Sequence, residues 1–393
     1  MSDVIQLLHD LVSIDSVNTR YPGATNGERE IAEFVQHYYE MLGIDVESYE
    51  VADGRPNVIA RLNADEPVGT VLLDAHTDTV GVIPQGPELF KPRVKDGRLY
   101  GRGACDDKGS LSAMMVAMAD LASRRSELRV NVVALASVDE ESGGTGIISF
   151  IDRGERIDAA IVGEPTELQA VRAHKSGLMW NITTVGAAAH SSKPEVGVNA
   201  IYHMVTVLEA IRDEIEPGLR RISHPLLSSP TITPTLIEGG EGPNIVPAEC
   251  TILLSRRSLP TEDSQDIIEE MRRFFRRLQE ETPGLELRIT EPQTHGFLGL
   301  DTPADEPIVR AATQAVRAID PEAQPLGVPY GSHAVYLAGQ AHIPCVVMGP
   351  GFIDDAHTAT ESVSLAEVSR APALYARTVL NYGDILASNS RMQ

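Results

Sequence analysis

The sequence predicts an α/β protein: a mostly parallel sheet covered by helices, interrupted by a small inserted domain. Three observations predict it. In the first and last parts of the chain, strand-like apolar runs alternate with helical stretches, the pattern of a parallel sheet covered on both faces. Around Val171 that alternation gives way to the order β-α-β-β-α-β. Imidazole and carboxylate side chains stand where four of the strand runs end, and they lie on both sides of the middle segment.

The elements follow in order. Val4, Leu7, Leu8, Leu11 and Val12 have helical spacing, so Asp3 to Ile14 opens the chain as a helix. Thr25-Asn26-Gly27-Glu28 has the form of a capping box. It predicts a second helix with Ile31, Phe34, Val35, Tyr38 and Leu42 inward, stopped by Gly43. Strands are expected at Ile44–Val51, Asn57–Leu62 and Thr70–Ala75. Leu111 to Leu121 reads as a buried helix whose Met114, Met115 and Met118 pack the core. A strand, a helix over Gly144–Arg153 and a further strand lead to Glu164. In the middle segment, Leu178–Val185, Thr231–Ile237, Thr251–Ser255 and Leu285–Ile289 read as strands. Asn199–Ile215 and Ser264–Leu278 read as helices, and the whole is the ferredoxin-like unit. Then come a helix at Glu306–Ile319, a strand at Ile343–Met348 and a last helix at Leu365–Tyr382. The expected divisions are a catalytic domain in two parts, 1–173 and 292–393, and an insert over 174–291. The chain has no internal repeat and no low-complexity linker.

Bulk properties narrow the function. A length of 393 residues argues for two domains, or one with a large insertion. At 42% hydrophobic and 23% charged, the composition is that of an ordinary soluble globular protein. No apolar run approaches the ~20 residues of a membrane helix. Met1-Ser2-Asp3-Val4 lacks the pattern of a signal peptide. Cys105, Cys250 and Cys345 are too few and too far apart for a disulfide framework or a thiolate metal site, and a reducing cytoplasm is expected. A formal net charge of −23 disfavours nucleic acid, whose phosphates need a basic surface.

The chemistry is concentrated at His76, Asp106, Glu140, Glu141, Glu164 and His357. Ligands of open α/β sheets bind beyond the carboxyl ends of the strands, where these residues fall. His76 and Asp78 are two apart and share a side in extended backbone. A ligating imidazole usually gives its other N–H to a carboxylate, so His76 would bind metal and Asp78 would orient it. Asp106 lies in Gly101-Arg102-Gly103-Ala104-Cys105-Asp106-Asp107-Lys108-Gly109, and one carboxylate can bridge two metals about 3.5–4 Å apart. Asp107 and Lys108 also fit a solvated turn. Glu140 and Glu141 are neighbours whose side chains diverge, so one can bind metal while the other takes a proton from water, and the pair also fits an acidic turn. Glu164 fits either a metal ligand or a helix cap, and His357 either a ligand or a loop residue.

Taken together, these spacings resemble the co-catalytic zinc amidohydrolases that include acetylornithine deacetylase, succinyl-diaminopimelate desuccinylase, aminoacylase and glutamate carboxypeptidase. The resemblance runs through nearly the whole chain, in the family's order. It is carried by His76-Thr77-Asp78-Thr79-Val80, the Gly101–Gly109 loop, Asp139-Glu140-Glu141 with its glycines, Gly163-Glu164-Pro165-Thr166, Ala188-Ala189-His190-Ser191-Ser192, Gly242-Pro243-Asn244-Ile245-Val246-Pro247, and Gly349-Pro350-Gly351 with Ala356-His357-Thr358. It implies two zinc ions per chain, with cobalt or manganese as substitutes. His76, Asp106 and Glu164 would hold one, and Asp106, Glu141 and His357 the other. Glu140 would be the general base.

The resemblance also implies a ferredoxin-like lid that dimerises. His190 would reach across the dimer to stabilise the oxyanion, and Asn244 and Arg257 would bind substrate. Arg256 and Arg257 also fit plain surface charges. Gly331-Ser332-His333 stands where the family often has Gly-Thr-Asp, and Ser255 where it often has Asp. His333 is therefore either a substrate-facing group or a hydrogen-bonded loop residue. The expected function is removal of an acetyl- or succinyl-type acyl group from an N-acyl amino acid. The alternative is a metallo-exopeptidase, a carboxypeptidase or dipeptidase acting on short peptides with the same site. A non-catalytic scaffold would need a broken ligand set, and no ligand is missing.

Overall fold

A computed structural model describes residues 4–22, 24–82, 86–294 and 299–390. Two compact units separate: Met1–Arg172 with Thr302–Leu326 and Ser332–Gln393, and Ala173–Asp301 with Gly327–Gly331.

The first unit is built on a sheet in the order Asp45–Ala52, Arg55–Leu62, Asn131–Ser137, Thr70–His76, Ala159–Val162, Cys345–Val347. The last four strands are parallel. The hairpin Asp45–Leu62 adds the first two in antiparallel sense. The four parallel strands are buried along almost their whole length, as strands sandwiched between helices must be. Because they are parallel, they end on one side of the sheet. The residues that follow His76, Ser137, Val162 and Val347 are gathered there.

The helix Lys108–Ser123 lies in the core, with Met114, Met115 and Met118 buried against Leu11, Val379 and other apolar side chains, as their spacing predicts. The first helix spans Val4–Val12; Asp3 lies outside the described residues. The second helix, Arg29–Met41, corrects the capping-box expectation. Glu28 makes no side-chain cap bond; its carboxylate is buried and paired with Arg55. A small sheet of Arg93–Lys95, Arg98–Tyr100 and Ser362–Ser364 was not expected, since three-residue strands carry no periodic signal.

The second unit has four antiparallel strands in the order Glu286–Ile289, Val171–Val185, Glu249–Ser258, Thr231–Gly239. Numbered by sequence that is 4-1-3-2, with helices Ala200–Ala210 and Ser264–Glu281 between strands. Leu178, Trp180 and Ile182 alternate inward and pack with Met204, Val207, Ile268 and Phe275. The first helix does not run on to Ile215 in α form. It widens into a π-helical turn at Ile211–Ile215, just before Pro217, which has no N–H to continue an α ladder. Among the described residues, no helix is long and apolar enough to cross a membrane.

Candidate active site and metal centre

The ends of the parallel strands carry His76, Asp78, Glu140, Glu141 and Glu164, and the loop before the helix Lys108–Ser123 and the segment after Cys345–Val347 add Asp106 and His357. Donor atoms of His76, Glu140 and Glu164 lie within 4.8 Å of one another, as do those of His76, Asp106 and Glu141. Asp106 is the hinge of the cluster. Its Oδ1 is 2.9 Å from His76 Nε2, and its Oδ2 is 3.1 Å from His357 Nε2. His357 Nε2 is also 3.1 Å from Glu141 Oε1. Each oxygen of one carboxylate thus faces a different imidazole. Asp106 is held from behind by Glu361, whose Oε1 accepts the backbone N–H groups of Cys105 and Asp106 at 3.1 and 3.2 Å. Arg102 Nη1 donates to the other oxygen of Glu361 at 2.5 Å.

Asp78 does more than the sequence predicts. The nearest partner of His76 Nδ1 is the Asp78 carbonyl oxygen, at 3.0 Å, while the carboxylate stands 3.5 Å away. That carboxylate instead accepts the backbone N–H of Glu140 at 3.0 Å and of Glu141 at 3.1 Å. It fixes the turn from which both glutamates leave.

The electrostatics of the cluster are those of closely packed acids and imidazoles. Burial pushes the Glu164 carboxyl well above its ordinary range, and repulsion by Asp106 and Glu140 adds to the shift. Burial likewise raises Glu141, again with repulsion from Asp106. Glu140 is raised by burial, against the pull of His76 and His333. Burial opposes charge on His76, but hydrogen bonds to Asp106 and Asp78 outweigh it and hold the imidazole high. Buried carboxylates outnumber the imidazoles facing them, and their raised carboxyls are the mark of groups that would ionise only against a partner cation. Carboxylate oxygens and imidazole nitrogens are the donor set of zinc and its first-row neighbours, and each of the two groups, which share His76, could hold such an ion.

Asp107 and Lys108 are not a solvated turn: both are fully buried, and Lys108 Nζ donates to the Ile14 carbonyl at 2.7 Å. His333 is buried too. Its Nδ1 is 2.9 Å from Asp74 Oδ2, and the Ser137 hydroxyl donates to the other Asp74 oxygen at 2.8 Å. This pair stabilises a group in the sheet interior, which answers to the hydrogen-bonded expectation for His333. Asp74 carried one sequence signal, a carboxylate inside an apolar strand two residues before His76. Asn18, Arg55 and Glu361 carried none, and Glu28 carried only the capping-box pattern.

The remaining candidates lie on the second unit. His190 is exposed, with Nδ1 2.8 Å from the Ser192 hydroxyl. It pairs with Ile245 in a two-stranded ribbon, and the Asn244 carbonyl accepts the Ser191 N–H at 2.9 Å, so His190 and Asn244 are neighbours. Arg257 is exposed on the strand Glu249–Ser258. Arg256 is no surface charge: it points the other way, is 2% exposed and pairs with Glu262 at 2.6 Å.

This fold, with carboxylates and imidazoles converging at the strand ends, defines a metallohydrolase architecture. Residues 72–381 match the pattern of Peptidase family M20/M25/M40, and the chain belongs to that family. It is 30% identical over 391 residues to an acetylornithine deacetylase of Proteus mirabilis, covering 96% of each chain. It is 27% identical to another from Myxococcus xanthus, covering 97% of this chain and 99% of that one. Among solved structures, it shares the fold of an M20 family metallo-carboxypeptidase from Sulfolobus solfataricus. The TM-score is 0.79 at 20% identity, with 98% and 100% of the chains covered. Human carnosine dipeptidase 1 has the same fold, with a TM-score of 0.76 at 18% identity over 97% and 96% of the chains.

Proposed function

We propose that this protein is a metal-dependent amidohydrolase that removes an acetyl- or succinyl-type acyl group from an N-acyl amino acid. The observation that carries it is Asp106, with one oxygen toward His76 and the other toward His357. That is the arrangement two cations sharing a carboxylate would require. His76, Asp106 and Glu164 would hold one zinc ion, and Asp106, Glu141 and His357 the other. When bound, such ions act as Lewis acids toward water and toward the substrate carbonyl.

The protein supplies the rest. Glu140, half-buried and raised by desolvation, takes a proton from the attacking water. The C–N bond breaks as the carbonyl re-forms, and Glu140 returns the proton to the departing nitrogen. His190 of the partner subunit would donate to the carbonyl oxygen as it becomes negative. Asn244 and Arg257 would hold the amino-acid carboxylate, for which the planar guanidinium is suited.

The partner is a second copy of the chain, docked through the second unit. Two features favour it. The edge strand Thr231–Gly239 leaves Leu236 and Ile237 63% and 59% exposed, and the helix Ala200–Ala210 leaves Tyr202 73% exposed. Unpaired apolar strand edges call for a cover. A cytoplasmic setting suits three free, buried cysteines.

The test is turnover of N-acetyl, N-succinyl and N-formyl amino acids beside a set of dipeptides. Hydrolysis of the acyl amino acids, lost on chelation, is expected. Dipeptides cleaved in preference would replace the deacylase with an exopeptidase.

A further inference from the structure

Behind the metal cluster lies a second buried layer of charge with no donor role. Asn18 stands at its centre. The two hydrogens of its amide nitrogen are divided between two carboxylates, Asp78 Oδ2 at 2.8 Å and Asp139 Oδ1 at 2.9 Å. Its amide oxygen accepts the Arg20 N–H at 3.0 Å, and its own backbone N–H donates to the Thr79 carbonyl at 2.9 Å. Every polar atom of the side chain is committed, which fixes the amide nitrogen between the carboxylates. Asn18 has no exposed surface, nor have Asp78 and Asp139.

The layer continues outward. Arg55 Nη2 lies 3.1 Å from Asp139 Oδ1 and 2.5 Å from Glu28 Oε1, and Arg55 Nε donates to Glu28 Oε2 at 2.8 Å. Asp139 also accepts from the Thr145 hydroxyl at 2.7 Å, and its φ is 67°. That left-handed conformation costs an Asp little, and only a surrounding that specifies it keeps it. Buried ion pairs of this kind add little net stability, because desolvation offsets attraction. They do specify geometry.

We propose that Asn18 is a positioning residue for the Glu140–Glu141 pair. Its amide ties the carboxylate of Asp78, which holds the backbone N–H groups of Glu140 and Glu141, to the carboxylate of Asp139, which begins the same turn. Without it the two carboxylates repel across the gap, and the turn loses the register that aims one glutamate as base and the other as metal ligand. Arg55, itself held by Glu28, meets the same Asp139 oxygen that Asn18 does. The proposal rests on the hydrolase reading above.

Asn18→Asp keeps the shape and replaces the donating nitrogen with an oxygen; Asn18→Ala removes the amide without adding charge. At saturating zinc, with an N-acyl amino acid that the parent hydrolyses, both variants are expected to lose at least about tenfold in kcat with KM within about threefold, Asn18→Asp losing more. Chelator competition is expected to show one of the two metals held about 10–100-fold more weakly, the range for lost support of a ligand. Thermal midpoints report the fold separately. Parent-like kcat and metal affinity in both variants would overturn the proposal. Unfolding of both would overturn it too, assigning Asn18 to stability alone. A parent that hydrolyses nothing would instead fault the hydrolase reading.

Discussion

Glu140 and Glu141 leave one turn, held by one carboxylate, and the proposed mechanism gives them different work. Glu140→Ala is expected to cut turnover by roughly 10²–10⁴-fold or more, the scale of a lost general base, while both metals stay bound. Glu141→Ala is expected to weaken one metal. Turnover and metal content measured together on the two variants check this, and metal loss confined to Glu140→Ala would reverse the roles. A second residue-scale prediction concerns His333 and Asp74. Both are buried and 2.9 Å apart, so Asp74→Asn strips a buried imidazole of its charged partner. Breaking such a pair costs about 3–5 kcal/mol. Denaturant unfolding should show a loss of that order, and an unchanged midpoint would mean that the pair is not formed.

At the scale of elements, the strand His174 lies on predicts a pH effect. Burial holds the His174 imidazole down to about 4, from an ordinary 6.5. The folded state keeps it neutral, while the unfolded chain binds a proton below its ordinary pKa. The resulting stability is complete above about 6.5 and is lost as pH falls toward 4. The term is worth at most about 3 kcal/mol. The difference in unfolding free energy between the parent and His174→Gln should therefore change with pH across that window. Parallel curves would refute it.

The parallel strands were legible because they are continuous apolar runs, and His76, Glu140, Glu141 and Glu164 because they stand at or just after the ends of those runs. Boundaries shifted by a few residues, as with Leu178–Val185, which extends back to Val171 because the added residues alternate less cleanly. Glu28 was misread because a capping box is a local pattern, whereas its partner Arg55 is 27 residues away. Asn18 was invisible for the same reason at greater range: its two carboxylates are 60 and 121 residues distant. Glu361 meets Asp106 across 255 residues. Residues of metal-binding type announce themselves by type; residues that hold them in place are ordinary polar residues until the fold joins them.

At the scale of the whole molecule, two claims await test. If His190 serves the partner's site, mixing Glu140→Ala subunits with His190→Ala subunits should restore some turnover, once subunit exchange is verified. One site of the mixed dimer then combines an intact Glu140 with an intact His190. No recovery, with exchange verified, would confine His190 to its own chain or to no role.

The central claim is that the carboxylates and imidazoles gathered at the strand ends hold two metals on which hydrolysis depends. Protein stripped with a chelator and titrated with zinc, with metal counted and turnover of an N-acyl amino acid followed together, tests it most directly. The expected result is no turnover when stripped, and turnover that rises with zinc and levels off at two ions per chain. Stripped protein that hydrolyses its substrate at the parent rate would contradict it.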